Sequence, residues 1–419
     1  MISVGIEAMN VFGGASFINI EELAKHRHID PSKYEKLLIK EKTVVLPYED
    51  PVSYGVNAAK PIIDSLSEEE KNKIELLITC TESGIDFGKS ISTYIHKYLK
   101  LKNNCRLFEI KGACYSGTAG FQMAVNFILS QVSTNAKALV IISDVSRFMS
   151  VQNGENIDMD WNFFEPTSGA GSVAMLISNN PAIFKLDVGA SGYYGYEVMD
   201  TCRPNVDGEA GDADLGLMSY IDCCEHAFLE YKKRVPEADY RNTFDYLAFH
   251  TPFGGMVKSA HRTVMRRIVK ASPKEIKEDF ERRVIPGIEY CQSVGNIMGS
   301  TLYTALAGII DNVIIDMPKR IGCFSYGSGC CSEFFSGIIT EQAHDLQKRF
   351  NIEKNLAQRY KLSMDEYEDT IRKNGLVRFG IRNIKLDLNS MSQVINSDNK
   401  EKRLFLKEIK EFHREYEWI

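Results

Sequence analysis

The chain has 419 residues, a net charge of -6 and a pI near 5.9, with 44% hydrophobic and 25% charged residues. This is the composition of a globular protein with a sizeable core, and the negative balance argues against nucleic acid or an anionic membrane as the main partner. No apolar run reaches the roughly 20 residues of a membrane span, and the first residues lack the basic start of a secretory signal, so we expect a cytoplasmic protein.

Strand-length apolar runs alternate along the chain with segments of helical period. The predicted strands are 75–79, 107–110, 138–143, 172–178, 246–250, 321–326 and 333–339, and the predicted helices are 121–131, 217–233, 256–270 and 299–310. This alternation is typical of layered α/β proteins and favours a largely parallel sheet.

A Gly-x-Gly turn that enters an apolar strand occurs twice, in 168–177 and again in 326–335. The repetition predicts a duplicated α/β unit, with an N-terminal half in residues 1–180 and a C-terminal half in residues 181–419. After residue 340 the sequence becomes charged and poor in glycine. Helical period in 341–350, 364–373 and 400–416 predicts a helical appendage that starts at about residue 341.

The segment 111–120 predicts the end of a strand, a tight turn and the start of a helix, with Cys114 in the turn. Free backbone N–H groups and the helix dipole at such a place lower the pKa of a thiol and favour the nucleophilic thiolate. Small neighbours leave room for an acyl group. Although a single cysteine in apolar sequence is more often a core residue, this position predicts covalent acyl transfer.

Three further polar residues follow predicted strands or open a helix: Glu82, His250 and Asn296. Ligands of α/β sheets gather at the carboxyl ends of strands, so these side chains can meet although they are distant in sequence. Each alone is as well explained as a helix cap, a surface residue or a buried core histidine. Together with Cys114 they form a plausible catalytic group.

The 10 cysteines show no CxxC pair and no zinc-type spacing with histidine. We therefore expect no metal, no disulfide framework and no cofactor. A Gly-x-Ser-x-Gly turn, a dinucleotide fingerprint and a Walker-type lysine are also missing, which argues against a serine hydrolase and against nucleotide binding.

This combination of motifs resembles 3-hydroxy-3-methylglutaryl-CoA synthase, a member of the thiolase superfamily. The similarity is strongest to the synthases that install β-branches in bacterial trans-acyltransferase polyketide pathways of the bacillaene type, through residues 5–14 and 210–214. The motifs that carry the family resemblance are 81–86, 113–119, 166–171, 249–253, 295–296 and 326–329.

The resemblance implies a thiolase-like, duplicated α/β/α/β/α fold and a homodimer. It also implies that Cys114 accepts an acetyl group from a donor acyl carrier protein and that Glu82 is the general base. The enolate then attacks a β-ketoacyl thioester on a polyketide carrier protein, and water releases a product with a carboxylate branch. His250 and Asn296 would hold the ketone oxygen.

Further substrate contacts implied by the resemblance involve Ser328, whose N–H would hold the thioester oxygen with that of Cys114, and Thr167. Asp144 would have a supporting role. Phe148 stands where the family has a tyrosine.

Gly255 stands where a lysine for the CoA phosphates is expected, which favours phosphopantetheine on a carrier protein over free CoA. Lys258 could bind a phosphate or an acidic carrier surface. Nearby basic residues at helical spacing fit either a docking face or an ordinary solvated helix face: Arg262, Arg266 and Arg267.

Other functions remain open at this point. A primary-metabolic synthase using acetyl-CoA and acetoacetyl-CoA is the main alternative, and a non-catalytic scaffold that docks carrier proteins is a second one. A ketosynthase or thiolase would share the fold, but its Asn-His-Gly or Cys-x-Gly elements are missing.

Overall fold

The computed structural model describes residues 2–147, 164–206, 208–391, 393–394 and 402–419. Most strands belong to one large central sheet. In chain order the strands are β1 (Gly5–Phe12), β2 (Ser16–Asn19), β3 (Glu41–Thr43), β4 (Ile74–Cys80), β5 (Arg106–Ile110), β6 (Lys137–Val145), β7 (Ala170–Ser178), β8 (Phe184–Gly195), β9 (Thr201–Asn205), β10 (Gly208–Gly211), β11 (Tyr246–Phe249), β12 (Lys319–Gly327), β13 (Cys331–Ile339), β14 (Tyr360–Lys361), β15 (Ile384–Lys385), β16 (Leu404–Lys410) and β17 (His413–Trp418).

Helices connect these strands and cover the sheet. They are α1 (Ile20–His26), α2 (Pro31–Glu35), α3 (Pro51–Ser65), α4 (Glu68–Lys71), α5 (Ser92–Tyr98), α6 (Ser116–Ser130), α7 (Phe164–Thr167), α8 (Ala213–Arg234), α9 (Gly254–Val264), α10 (Pro273–Arg283), α11 (Ile285–Val294), α12 (Thr301–Asn312), α13 (Ala343–Gln347), α14 (Ile352–Ala357) and α15 (Met364–Asn374). None of them, within the described ranges, is long and apolar enough to cross a membrane.

The central sheet has nine strands in the order β11-β12-β13-β8-β1-β7-β6-β4-β5. From the middle of the sheet outwards, the first group has the order β1, β7, β6, β4 and β5. The second group, on the other side, has the order β8, β13, β12 and β11, which follows the same scheme without a counterpart of β5. The two groups meet where β1 pairs with β8. The sheet order thus repeats itself once, and the division of the chain at residue 180 remains a prediction.

The prediction of a largely parallel sheet is wrong, because the sheet is mixed. Only β4–β5, β4–β6 and β11–β12 pair in parallel, whereas the pairs nearer the centre of the sheet are antiparallel. In each half of the sheet the last strand in the chain pairs antiparallel with the strand before it: β7 with β6, and β13 with β12. Apolar runs alone do not distinguish these directions, since a fully buried strand reads the same in both.

Helices lie on both faces of each half of the sheet, which gives the layered α/β arrangement. Helix α3 packs outside the first half, α8 covers the second half, and α6 and α12 lie between them. Strand β6 is covered on both faces, since all nine of its residues are buried. Leu139 and Ile141 pack towards α3, whereas Val140 and Ile142 pack in the cluster of α6 and α12. The predicted strands and the four predicted helices are all present.

The last predicted helix is wrong. Segments 341–350 and 364–373 are helical as predicted, but β16 and β17 form an antiparallel hairpin in place of a helix over 400–416. Leu404 and Leu406 pack in the cluster of α3, while Phe405 packs in a second cluster, so β16 is buried on both faces. The connection uses Glu411 and Phe412, which both have positive φ and suit a tight hairpin turn.

Candidate active site

A cavity of about 750 Å³ opens at the carboxyl ends of the strands. Its walls come from both halves of the sheet and from the β9–β10 hairpin. All but Lys258 of the catalytic and substrate-binding residues that the resemblance implies line this cavity: Glu82, Cys114, Thr167, His250, Asn296 and Ser328. The structure therefore brings six side chains together that are up to 246 positions apart in the sequence.

Lys258 lies elsewhere. It is exposed on α9, and its Nζ is 6.0 Å from the centre of the Phe280 ring. Arg262 and Arg266 are exposed on the same stretch, and Arg267 pairs with Glu225 at 2.7 Å. These basic residues form an outer face rather than a part of the cavity wall.

Cys114 lies in a 3-10 turn, Ala113–Tyr115, that joins β5 to α6. Its Sγ donates to Oε1 of Glu82 at 3.3 Å. Burial raises the pKa of this thiol well above its usual range, and the Glu82 carboxylate raises it further. The expectation of a lowered thiol pKa is therefore wrong, since burial and a neighbouring anion outweigh the start of α6. The thiol is protonated at rest, and the base that can activate it is already in contact.

Glu82 is held in place by Asp144 at the end of β6. Oδ1 of Asp144 accepts the backbone N–H of Glu82 at 2.8 Å and the hydroxyls of Thr81 at 2.9 Å and Ser83 at 2.8 Å. Burial, with a further contribution from Glu82, raises the pKa of Asp144 to about 7. Asp144 thus fixes the turn that points Glu82 at the thiol.

Arg203 and Glu209 are two cavity residues that the sequence analysis missed. Nε of Arg203 lies 3.2 Å from Oε2 of Glu82. Burial raises the pKa of Glu209 to about 7, an effect that Arg203 opposes and Glu82 strengthens. Both residues sit on the β9–β10 hairpin next to the recognised segment 210–214. Nothing in the sequence indicates that this short hairpin folds over the cavity.

His250 follows β11 and is only 2% exposed. Burial lowers its pKa to about 3, so the imidazole is neutral near pH 7. Its Nδ1 lies 2.5 Å from the hydroxyl of Thr301. When this hydroxyl donates to Nδ1, Nε2 carries the ring proton and can donate to an oxygen atom of a substrate.

Asn296 is fixed through its backbone and through one side of its amide. Its N–H donates to the carbonyl of Thr167 at 2.6 Å, and its Oδ1 accepts the N–H of Met298 at 3.0 Å. Because the oxygen is engaged, the NH₂ group is the part of the amide that is left for a ligand. Thr167, whose carbonyl accepts this N–H, also lines the cavity.

Ser328 lies in the turn between β12 and β13, which Asp200 anchors. Asp200 accepts the hydroxyl of Tyr326 at 2.5 Å and the N–H of Gly329 at 2.9 Å. A Cβ on Gly327 would lie 2.6 Å from the backbone nitrogen of Tyr115, so only glycine permits this approach. The close packing places Ser328 beside the Cys114 turn, and Asp200 is a further residue that the sequence analysis missed.

Phe148, the second departure from the family pattern, lies outside the described residues. The glycine at position 255 has a steric explanation, because a Cβ there would lie 2.3 Å from the carbonyl oxygen of Lys36. Within the part of the chain that the structure describes, no three His, Cys, Asp or Glu side chains are grouped to hold a metal ion.

Two family models and several known proteins match this chain. Residues 2–182 match the model of the hydroxymethylglutaryl-coenzyme A synthase N terminal family, and residues 259–417 match that of the C terminal family. The chain is 64% identical over its full length, and that of the relative, to polyketide biosynthesis 3-hydroxy-3-methylglutaryl-ACP synthase PksG of Bacillus subtilis. It is 32% identical to the hydroxymethylglutaryl-CoA synthase of Enterococcus faecalis, covering 88% of this chain and 91% of the relative.

Among solved structures, the HMG synthase of the curacin biosynthetic pathway in complex with acetyl donor-ACP superposes with a TM-score of 0.96. The two chains share 58% identity, and the match covers both completely. The chain belongs to the hydroxymethylglutaryl-coenzyme A synthase family.

Proposed function

We propose that this protein is a β-branching synthase of polyketide assembly. It condenses an acetyl group from a donor acyl carrier protein with a β-ketoacyl group on a second carrier protein and then hydrolyses the adduct. The observation that carries the proposal is the 3.3 Å contact between the Cys114 thiol and the Glu82 carboxylate in a cavity shared with His250 and Asn296. The names of PksG and of the curacin complex with acetyl donor-ACP support the carrier-bound substrates.

The first step is acetyl transfer to Cys114. Glu82 takes the proton of the thiol, and the sulfur attacks the thioester carbon of the donor. The bond to the phosphopantetheine sulfur breaks, and this sulfur takes up the proton. The N–H groups of Cys114 and Ser328 hold the carbonyl oxygen as it gains charge, and loss of one such donor costs about 10²–10³ in rate.

The second step is carbon–carbon bond formation. Glu82 removes a proton from the acetyl methyl group, and the resulting enolate attacks the ketone of the acceptor. Nε2–H of His250 and the NH₂ group of Asn296 stabilise the alkoxide, which takes up the proton held by Glu82 to become the tertiary hydroxyl. A neutral imidazole fits this role because burial keeps it uncharged and able to donate.

The preference for carrier proteins over free CoA rests on Gly255 and on the basic face of α9. The contact of Gly255 with Lys36 leaves no space for a side chain that could reach a CoA phosphate. Lys258, Arg262 and Arg266 are exposed and can meet the acidic surface of a carrier protein. We further propose a homodimer, and a cytoplasmic location in keeping with ten free cysteines.

The test supplies purified acetyl-donor carrier and β-ketoacyl-acceptor carrier and follows the intact masses of enzyme and carriers. We expect an acetyl group on Cys114 and then a branched, carboxylated acyl group on the acceptor. Comparable turnover with acetyl-CoA and acetoacetyl-CoA would favour the primary-metabolic reaction instead. A protein that binds both carriers but never acquires an acetyl group would be a scaffold.

A further inference from the structure

The β9–β10 hairpin places two charged side chains of opposite sign in the cavity. Glu209 lies between Gly208 and Ala210, which pair with Asn205 and Cys202 across a register irregularity, so it faces the part of β9 that carries Arg203. Both line the same cavity as Cys114 and Glu82. Glu209 interacts electrostatically with Arg203, with Glu82 and with the Cys114 thiol. The hairpin therefore adds a second carboxylate to the surroundings of the nucleophile.

The two carboxylates differ in their hydrogen bonds. Glu82 is engaged on both oxygens, one by the thiol of Cys114 and the other by Arg203. Glu209 has no hydrogen-bond donor and no ion-pair partner in contact among the residues that the structure describes. A carboxylate that accepts no protein hydrogen bond has its lone pairs available to a molecule in the cavity.

The reaction contains a step that still needs a base. After condensation the branched acyl group is a thioester of Cys114, and water must be added to free the enzyme. Neutral water is a weak nucleophile, and positioned proton removal accelerates such a step by about 10²–10⁴. In the acyl-enzyme the sulfur has no proton to donate to Oε1 of Glu82, whereas Oε2 still faces Arg203 at 3.2 Å. Glu209 has neither contact, so it is a cavity carboxylate with both oxygens open to a water molecule.

We propose that Glu209 is the general base of this hydrolysis. It takes a proton from a cavity water while the water oxygen bonds to the thioester carbonyl carbon. The carbon–sulfur bond then breaks, and the proton passes from Glu209 to the departing sulfur of Cys114. The products are a carboxylic acid and the free thiol, so atoms and charge balance. The assignment rests on the proposed function, which supplies the thioester.

The electrostatic surroundings agree with this role. A pKa of about 7 lets Glu209 act as a base near neutral pH and still return the proton. Glu209 also contributes to the raised pKa of Cys114, which makes the departing thiolate a good proton acceptor. Asp144 interacts with the same thiol, but the 81–83 turn occupies its Oδ1 and it does not line the cavity.

The experiment compares wild type with Glu209→Gln, using acetyl-donor and β-ketoacyl-acceptor carriers and intact mass at quenched time points. We expect the variant to acetylate Cys114 and to condense at about the wild-type rate. The branched acyl group should then remain on Cys114, and turnover should fall about 10²-fold or more. Glu197→Gln is the matched control, because Glu197 is exposed and outside the cavity.

Two additions separate a base from a structural residue. Hydroxylamine attacks thioesters without a base, so it should release the branched group from Glu209→Gln. Formate should restore hydrolysis in Glu209→Ala, because it can replace the missing carboxylate. A different result would contradict the proposal: neither hydroxylamine nor formate restores release, all steps are slowed equally and no acyl-enzyme accumulates. Glu209 would then only position Arg203.

The outcomes also separate this assignment from the proposed function. Release of branched product by Glu209→Gln at the wild-type rate would overturn the assignment alone. Absence of any branched acyl-enzyme or product in wild type and variant would overturn the proposed function and the assignment with it. Retained acetylation of Cys114 in the variant shows that its fold is intact.

Discussion

The thiol of Cys114 donates to the carboxylate of Glu82 at 3.3 Å, across the ends of two neighbouring parallel strands. Cys80 of β4 pairs with Ile110 of β5, and each strand continues directly into the turn that carries one of these side chains. Parallel pairing thus brings a nucleophile and a base to the same edge of the sheet. The arrangement places a proton acceptor in contact with the thiol.

Glu82→Gln should separate the two uses of this carboxylate. Without the anion one cause of the raised thiol pKa disappears, so the pKa of Cys114 should fall and alkylation by iodoacetamide near pH 8 should become faster. Acetylation should remain detectable, whereas condensation should fall about 10²-fold or more, since no base removes the methyl proton. Condensation at the wild-type rate in intact-mass assays would show that another group is the base.

Thr301→Val should impair condensation and leave acetyl transfer nearly unchanged. The hydroxyl of Thr301 lies 2.5 Å from Nδ1 of His250, and when it donates there the ring proton is on Nε2. Its loss should cost up to about 10²-fold in condensation rate, the lower end of the effect of removing one oxyanion donor. Thr301→Ser keeps the hydroxyl and should restore the rate. Equal effects of both variants on both half-reactions would point to packing instead.

Gly255→Ala should destabilise the fold. The added Cβ would lie 2.3 Å from the backbone oxygen of Lys36, and such overpacking costs about 1–3 kcal/mol. Gly255→Lys should be no better and should not increase turnover with acetyl-CoA. In contrast, Gly216 on α8 has no atom within 4 Å of an added Cβ, so Gly216→Ala should raise stability slightly in the same thermal unfolding assay.

Arg414→Met tests whether the C-terminal hairpin stabilises the first half of the chain. Nη1 of Arg414 lies 2.9 Å from the buried Oδ2 of Asp50, whose other oxygen caps α3. Removing one partner of a buried pair costs about 3–5 kcal/mol, which urea unfolding would detect. Lys407→Met breaks an exposed pair on the same hairpin with Glu417 and should cost less than about 1 kcal/mol. Similar losses in both variants would contradict a specific role of Asp50.

The sequence was sufficient for seven of the nine strands of the central sheet, all but β1 and β8, and for the convergence of Cys114, Glu82, His250 and Asn296. Both follow from local pattern, since apolar runs mark strands and polar residues at their ends share one edge of a sheet. The positions of Arg203 and Glu209 were not predictable. Their hairpin is short, and tertiary contacts such as the N–H of Asp212 on the carbonyl of Asp200 decide where it lies.

The errors have a common physical cause. The raised pKa of Cys114 depends on burial and on a carboxylate 32 positions away in the sequence, which outweigh the local effect of a helix start. The C-terminal hairpin depends on Leu404 and Phe405 packing on opposite faces in two different clusters. Local periodicity does not contain such long-range contacts, so it gave a helix in that segment.

Glu209→Gln should make stability less dependent on pH. Burial raises the pKa of Glu209 to about 7 from an ordinary 4.5, so the folded chain holds this proton more tightly than the unfolded chain. As the pH rises from about 4.5 to about 7 the unfolded chain ionises first, and the free energy of unfolding falls. Above about pH 7 Glu209 is ionised in both states, so the free energy of unfolding falls no further from this cause.

The neutral amide removes this cost. The variant should therefore exceed wild type by up to about 3 kcal/mol in the free energy of unfolding at pH 8, and by little near pH 4.5. Urea unfolding at both pH values measures the difference, with Glu197→Gln as the exposed control whose stability should follow wild type. A gain that is the same at both pH values would show that the carboxylate is not the cause, because only an ionising group makes the difference depend on pH.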